Sequence, residues 1–247
     1  MHIAFVIPAW RRYAVTNLAL AQQAHLRGAL AARGVTSTTI VVADDDNIDI
    51  AREHGCETVT QNNAYLGRKV NDGIEHACRD GADWVAFVGS DDWLHEDALD
   101  PLFAVGDDQR PPLIAGHLVT IVDLERGRLR RLGVRGPDGV SPWLIPRWML
   151  EQSCFRPVGD SLVRGMEGAL RRALPQGFDR VFHDPHEHCR VDFKTSVNMT
   201  PYRRVAPLLG YGPEETPWLA LATQYPVQLM ELAWKTHRLI ADEAVAA

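Results

Sequence analysis

The chain has 247 residues and a formal net charge of −6, and its 46% hydrophobic and 23% charged residues are ordinary for a globular protein, without the bias of a disordered chain. That length accommodates one large α/β domain, or one domain with a helical addition, around a sizeable core. The acidic balance argues against a surface built chiefly to neutralise nucleic-acid phosphates. The cysteines Cys56, Cys78, Cys154 and Cys189 lack the paired spacing of a structural zinc or redox site.

Ile3 to Ile7 is a β-rich run ended by Pro8; it is too short for a signal-peptide core and lacks the basic flank, so it reads as a first strand. Val15 to Arg33 follows with helix formers and closes on Gly34. Thr38 to Val42 is a second strand running into "ADDD", Glu57 to Thr60 a third, Gly67 to Arg79 a helix, and Trp84 to Val88 a fourth strand running into "GSDDW". Strands and helices alternating at this spacing predict β-α-β units and a mostly parallel sheet buried on both faces. Ligands of such sheets sit at the carboxyl ends of the strands, where Pro8 to Arg12, Asp44 to Asp46 and Gly89 to Asp92 fall.

The second half is less periodic. "ERGRLRRLGVRG" carries five arginines and reads either as a solvated hairpin or loop or as a contact for an anion. "GPDGVSPWLIP" reads as a loop, with Trp143 and Trp148 either holding a planar acceptor or anchoring the core. A helix is expected over Leu162 to Leu174, a strand in "RVDFKTSVNMT", and a helical pair from Glu214 to Glu243 broken at Pro226. No apolar segment reaches the length of a membrane span, so a cytoplasmic protein with at most peripheral membrane contact is expected.

Adjacent carboxylates at a strand end need a cation, a donor ligand or solvent. Carboxylate oxygens suit Mg2+ or Mn2+ holding a phosphate-bearing substrate, which would make Asp91 and Asp92 metal ligands. The plain alternative is that Asp92 caps a helix starting near His95.

"VIPAWRRY", "IVVADDDNID", "NNAYLGRKVNDGIEHA" and "DWVAFVGSDDWLHEDAL" together resemble the motifs of the family 2 glycosyltransferases over roughly the first 105 residues. The resemblance implies a GT-A fold: a Rossmann-like, mostly parallel sheet flanked by helices, here with a C-terminal helical extension. It further implies transfer of a sugar from a nucleoside diphosphate sugar, usually with inversion and with Mn2+ or Mg2+. The expected division is a GT-A domain over 1–210, with a donor-binding half at 1–105 and an acceptor half at 106–210, and a helical extension over 211–247.

Carried over by resemblance, Pro8, Ala9 and Trp10 line the base and ribose, and Asp44 or Asp45 contacts the base. Arg68, Lys69 and Asn71 sit on the helix that presents basic side chains to the donor, with Val70 where many members have arginine. Ser90 and Asp91 lie in the metal–diphosphate loop. Asp91 matches the last aspartate of the D-x-D signature and Gly89 the place of the first. "LVRGMEGALRRAL" resembles the helix with the catalytic base, which makes Glu167 the first candidate and Asp160 the alternative. Among His183, His186 and His188, a histidine would add a ligand to the donor metal; His186 and His188 could equally form a zinc site or be structural. Lys194 is either a diphosphate contact or a structural lysine.

The acceptor stays open: protein, glycan, lipid head group or modified nucleic acid. The competing readings are an inactive sugar-nucleotide or carbohydrate-binding module, and a sugar nucleotidyltransferase, which would want a glycine-rich loop where "PAWRRY" has no glycine.

Overall fold

In the computed structural model, residues 1–44, 46–105, 113–116, 118–133, 140–164, 166–174, 179–182, 189–195 and 217–246 are described. The first half follows the alternation of the sequence: β1 (His2–Pro8), α1 (Tyr13–Ala32), β2 (Thr36–Ala43), α2 (Asn47–Glu53), β3 (Glu57–Thr60), α3 (Leu66–Arg79) and β4 (Trp84–Phe87). Then come β5 (Asp92–Leu94), a 3-10 turn over Glu96–Leu99, α4 (Asp100–Val105), β6 (Leu113–Gly116), β7 (Leu118–Asp123), β8 (Arg128–Gly133) and β9 (Val140–Pro146). The chain continues with α5 (Arg147–Glu151), α6 (Met166–Ala173), β10 (Asp179–Phe182), β11 (Arg190–Lys194), α7 (Pro217–Ala222) and α8 (Val227–Ala246).

Seven strands form one sheet in the order β10-β6-β9-β4-β1-β2-β3, and four form a second in the order β5-β11-β7-β8. The pairs β1–β2, β1–β4, β2–β3 and β6–β10 are parallel, while β9 runs antiparallel to both β4 and β6. The large sheet is therefore mixed rather than uniformly parallel. A strand without a crossover helix to its neighbours is free to pair antiparallel, and β9 is such a strand.

Strand β1 shows why both faces are covered. Ile3, Phe5 and Ile7 pack with Leu20, Leu26 and Leu30 of α1, while Ala4 and Val6 pack with Val70 and Ile74 of α3. All five β1 side chains are fully buried, as the period of two on a doubly covered strand requires. Gly73 lets α3 approach, because a Cβ there would lie 2.5 Å from Val6 and 3.0 Å from Val42.

A third core lies between the small sheet and the helices. Trp93, Val122, Leu129, Val191 and Phe193 meet Val15 and Leu18 of α1 and Tyr225, Leu229, Met230 and Ala233 at the C-terminal helices. Pro226 separates α7 from α8, as the sequence requires. The arginine-rich segment contributes the β7–β8 hairpin.

Three expectations change. "SPWLIP" is strand β9 rather than loop, and Trp143 on it is 5% exposed in the core with Ile145 and Met149, so it is an anchor and not a free aromatic face. Asp92 opens strand β5 and caps nothing; the following turn is capped by the His95 ring, which accepts from Asp97 N–H. The helix expected from Leu162 begins only at Met166, because Leu162 is held in a turn by its hydrogen bonds to Gly67 and Gly159.

Candidate functional site

Beyond Pro8, β1 is prolonged by one bond, Ala9 N–H to Val42 O at 3.0 Å, and the chain then turns sharply. Arg11 and Arg12 both take left-handed backbone conformations, φ 52° and 55°, which cost non-glycine residues roughly 1–2 kcal/mol each. The turn leaves Trp10 exposed with the Arg11 guanidinium 5.0 Å from its ring centre, and makes Arg12 the residue from which α1 starts. Thus directed, Arg12 donates to Asp91 Oδ2 at 3.0 Å and to Ser90 Oγ at 2.8 Å.

The opposite wall comes from β11. It runs antiparallel to β5 with Asp192 opposite Asp92, and Phe193 N–H bonds the carbonyl of Asp91 at 2.8 Å. Asp192 and Lys194 point the same way along this strand. Lys194 Nζ lies 2.6 Å from Asp192 and 3.6 Å from Asp91. Asp92 accepts from Gly89 N–H at 2.8 Å. A Cβ on Gly89 would come within 2.6 Å of Asp92 Oδ2 and 2.8 Å of Asp91 Oδ1, so glycine is required for the two carboxylates to fold back over the loop.

The electrostatics of the cluster are unequal. Burial pushes the Asp91 carboxyl up, but Arg12 and Lys194 overcome it and hold the group below the usual carboxylate range. Asp92 is driven well above that range by burial and then by Asp192 and Asp91. Asp192 rises to about 6, chiefly through burial; Lys194 opposes the shift and Asp91 adds to it. For Lys194 burial lowers its pKa, but Asp192, Asp91 and Asp92 outweigh it and raise it. Like charges this close cannot all ionise without a further cation.

Asp91, Asp92 and Asp192 each offer an oxygen within 4.8 Å of the others, and Asp192 Oδ1 is buried with no hydrogen-bond partner among the described residues. An all-oxygen set with an unsatisfied buried acceptor fits a hard divalent cation such as Mn2+ or Mg2+.

The remaining sequence candidates fall into two groups. Asp44, exposed at the end of β2, accepts from the backbone and the side chain of Asn63. Lys69, almost fully buried, donates to Asn63 and to Ala9 O at 2.5 Å, tying α3 to the turn that carries Trp10. The second group lies along α3. Buried Asn71 donates to Val158 O at 2.7 Å and to Asp160 Oδ1 at 2.8 Å, and accepts from Val158 N–H. Asp160 also meets Arg156 at 2.8 Å, and its carboxyl is lowered first by the Asn71 hydrogen bond, then by Arg156, with a contribution from the charge of Arg68. Glu167 is on α6, its side chain outside the described part. Asp45, His183, His186 and His188 lie outside the described residues.

Arg12 and Asp192 were not singled out from the sequence. The i, i+2 spacing of Asp192 and Lys194 in a β-rich run was a usable signal for the second. For Arg12 the deciding feature, a left-handed turn, is not marked by glycine or asparagine.

No protein-family model matches the chain, and no curated protein does. Solved structures match its fold. Staphylococcus aureus TarS 1–349 in complex with UDP superposes with a TM-score of 0.56 at 13% identity, over 79% of this chain and 61% of that one. The same protein with UDP-GlcNAc gives 0.53 at 13%, over 83% and 64%. The mannosyltransferase PcManGT from Pyrobaculum calidifontis, in complex with GDP-Man and Mn2+, gives 0.51 at 12%, over 99% and 75%. The chain thus spans about three-fifths of the TarS segment, and at these identities what is shared is the fold.

Proposed function

We propose that the chain is a glycosyltransferase of the GT-A type that moves a sugar from a nucleoside diphosphate sugar to an acceptor hydroxyl with inversion. The observation that carries this reading is the buried carboxylate triad Asp91, Asp92 and Asp192, flanked by Arg12 and Lys194 at the end of the first sheet's strands. The fold shared with PcManGT, solved with GDP-Man and Mn2+, supports it.

In this reading Asp91, Asp92 and Asp192 would hold Mn2+ or Mg2+, whose charge would stabilise the diphosphate leaving group. Arg12 and Lys194 complement the remaining phosphate charge. Trp10 and Arg11 form a face for the base, with Pro8 and Asp44 beside it; Ala9, expected there from the sequence, is instead fully buried in the core and serves the loop through its carbonyl, which accepts from Lys69. Residues 1–105 thus form the donor half, with Asp192 and Lys194 lent by the acceptor half at 106–210.

The acceptor oxygen attacks the anomeric carbon, the bond from that carbon to the diphosphate oxygen breaks, and the acceptor proton passes to a carboxylate. Glu167 is assigned this base. Asp160 is held ionised by Asn71 and Arg156, which weakens it as a base and suits it better to positioning.

The test is release of nucleoside diphosphate from UDP- and GDP-sugars by the full chain, with Mn2+ and with EDTA. Metal-dependent release abolished by Asp91→Ala is expected. Tight, metal-dependent UDP binding with no turnover on any donor would instead favour the binding module, for which the glycine in place of the first signature aspartate speaks.

A further inference from the structure

Residues 157–164 form a rim fixed from several sides. Val158 is bonded in both directions by the Asn71 side chain, and Leu162 O accepts from Gly67 N–H at 2.8 Å. A Cβ on Gly67 would lie 2.1 Å from Gly159 O, so the rim sits directly on the first turn of α3. Facing it is α6, whose Met166 and Leu170 enter the core while Ala169 and Ala173 leave space outside. Between rim and helix lies an open groove of about 600 Å3, within the size range of small-molecule sites.

Its walls combine Val158, Leu162 and the two alanines with the guanidinium side chains of Arg164 and Arg172. Both arginines are exposed, and neither meets a carboxylate among the described residues. Arg156 nearby is by contrast fully engaged, by Asp72, Glu75 and Asp160. On a chain of net charge −6, two uncompensated guanidinium groups in one groove form a local anion site, and their fork geometry matches phosphate oxygens. The first turn of α3 joins this groove to the donor side, since Gly67 supports the rim while Lys69 bonds Ala9.

We propose that this groove is the acceptor site and that it takes a small alcohol or sugar carrying a phosphate. The proposal rests on the transferase reading given above. Arg164 and Arg172 hold the phosphate, and the apolar wall covers the carbon skeleton. The groove shares α6 with Glu167, the residue assigned as base.

The full chain, saturated with UDP and Mn2+ so that the donor site cannot take the phosphate, is titrated calorimetrically with glycerol 3-phosphate, glucose 6-phosphate, their unphosphorylated counterparts and inorganic phosphate. The expected result is at least one ester binding ten times or more tighter than its neutral counterpart and than inorganic phosphate. Arg164→Gln and Arg172→Gln, both at exposed positions, should each weaken that binding about tenfold with UDP affinity unchanged. Equal binding of ester and alcohol, equal binding of inorganic phosphate, or ester binding that survives the double substitution would overturn the proposal. Should UDP fail to bind, GDP takes its place in the same titration; should neither bind, the donor reading falls, and the same comparison on the unliganded chain still decides the groove.

Discussion

Arg12 and Lys194 lie 3.0 and 3.6 Å from Asp91 Oδ2, so a divalent cation taking that oxygen would have to share it with both. The metal and these side chains therefore compete for one acceptor. Arg12→Met should tighten binding of Mn2+ alone, read by the loss of its free EPR signal, while weakening UDP by about tenfold or more, as loss of a charge-assisted contact does. A fall in both affinities would mean that Arg12 only props the loop. Gly89→Ala tests the geometry of the same loop: its methyl would collide with both carboxylates, at a cost of about 1–3 kcal/mol, and metal binding should go with it. The raised carboxyls also set a pH dependence. Asp192, faced by Lys194, Asp91, Asp92 and Arg12, titrates at about 6 in the fold against 3.8 in the unfolded chain. At Asp192 the fold thus binds more protons within that window, so without metal the contribution of this group to stability falls as pH rises from about 4 to 6 and stays lost above it, against the opposite contribution of His54, whose pKa burial lowers. Urea midpoints measured in EDTA should therefore fall more, or rise less, through the window in the native chain than in Asp192→Asn, and Mn2+ should restore stability at pH 7 in the native chain; identical pH profiles for the two in EDTA would contradict the carboxylate triad.

At the level of elements, α3 links the turn that carries Trp10 to the groove rim, with Lys69 bonded to Ala9 and Gly67 and Asn71 to Leu162 and Val158. Gly67→Ala would drive a methyl into Gly159 O; backbone cannot move as a side-chain tip can, so the rim must shift. Acceptor KM should rise severalfold while UDP affinity changes little, a split that a general loss of stability would not give. The elements β1, α1, β2, α3 and β4 were legible because each is an apolar run or a helical stretch, several of them closed by Pro8, Gly34 or Gly81, and β3 by its β-branched residues, whereas the short helix α2 was not foreseen. Strand β9 was not, since Pro142 and Pro146 sit inside it and its partners β4 and β6 are remote in sequence. The short strand β5 was hidden for a related reason: its stability comes from β11, whose register no local signal gives. The same remoteness concealed one of the three carboxylates of the acidic cluster. Asp91 and Asp92 stood in a motif, whereas Asp192 joins them only through that long-range pairing.

Across the whole molecule, the C-terminal helices hold the site in place from behind. Leu229, Met230 and Ala233 of α8 are buried against Tyr225, Trp93 and Leu18, and Trp93 is fully buried, with its ring 4.9 Å from Phe193 and 4.8 Å from Tyr225 and its Nε1–H donated to Leu18 O. Trp93 directly follows Asp92, and Phe193 lies between Asp192 and Lys194. The alternation of a strand therefore places the aromatic pair on one face and the charged cluster on the other. Removing α8 exposes the aromatic face of β5 and β11, and that loss of burial costs several kcal/mol, a large part of the 5–15 kcal/mol that typically separates folded from unfolded chains. A chain ending at Tyr225 should melt well below the 247-residue chain and lose Mn2+ and UDP binding together. Ala233→Arg, a single charge forced into a fully buried position, should lower the melting temperature in the same direction, with UDP at saturating concentration recovering part of it. If the shortened chain instead kept both its melting temperature and its UDP affinity, the helices would be an independent appendage and the carboxylate cluster would owe its geometry to the two sheets alone.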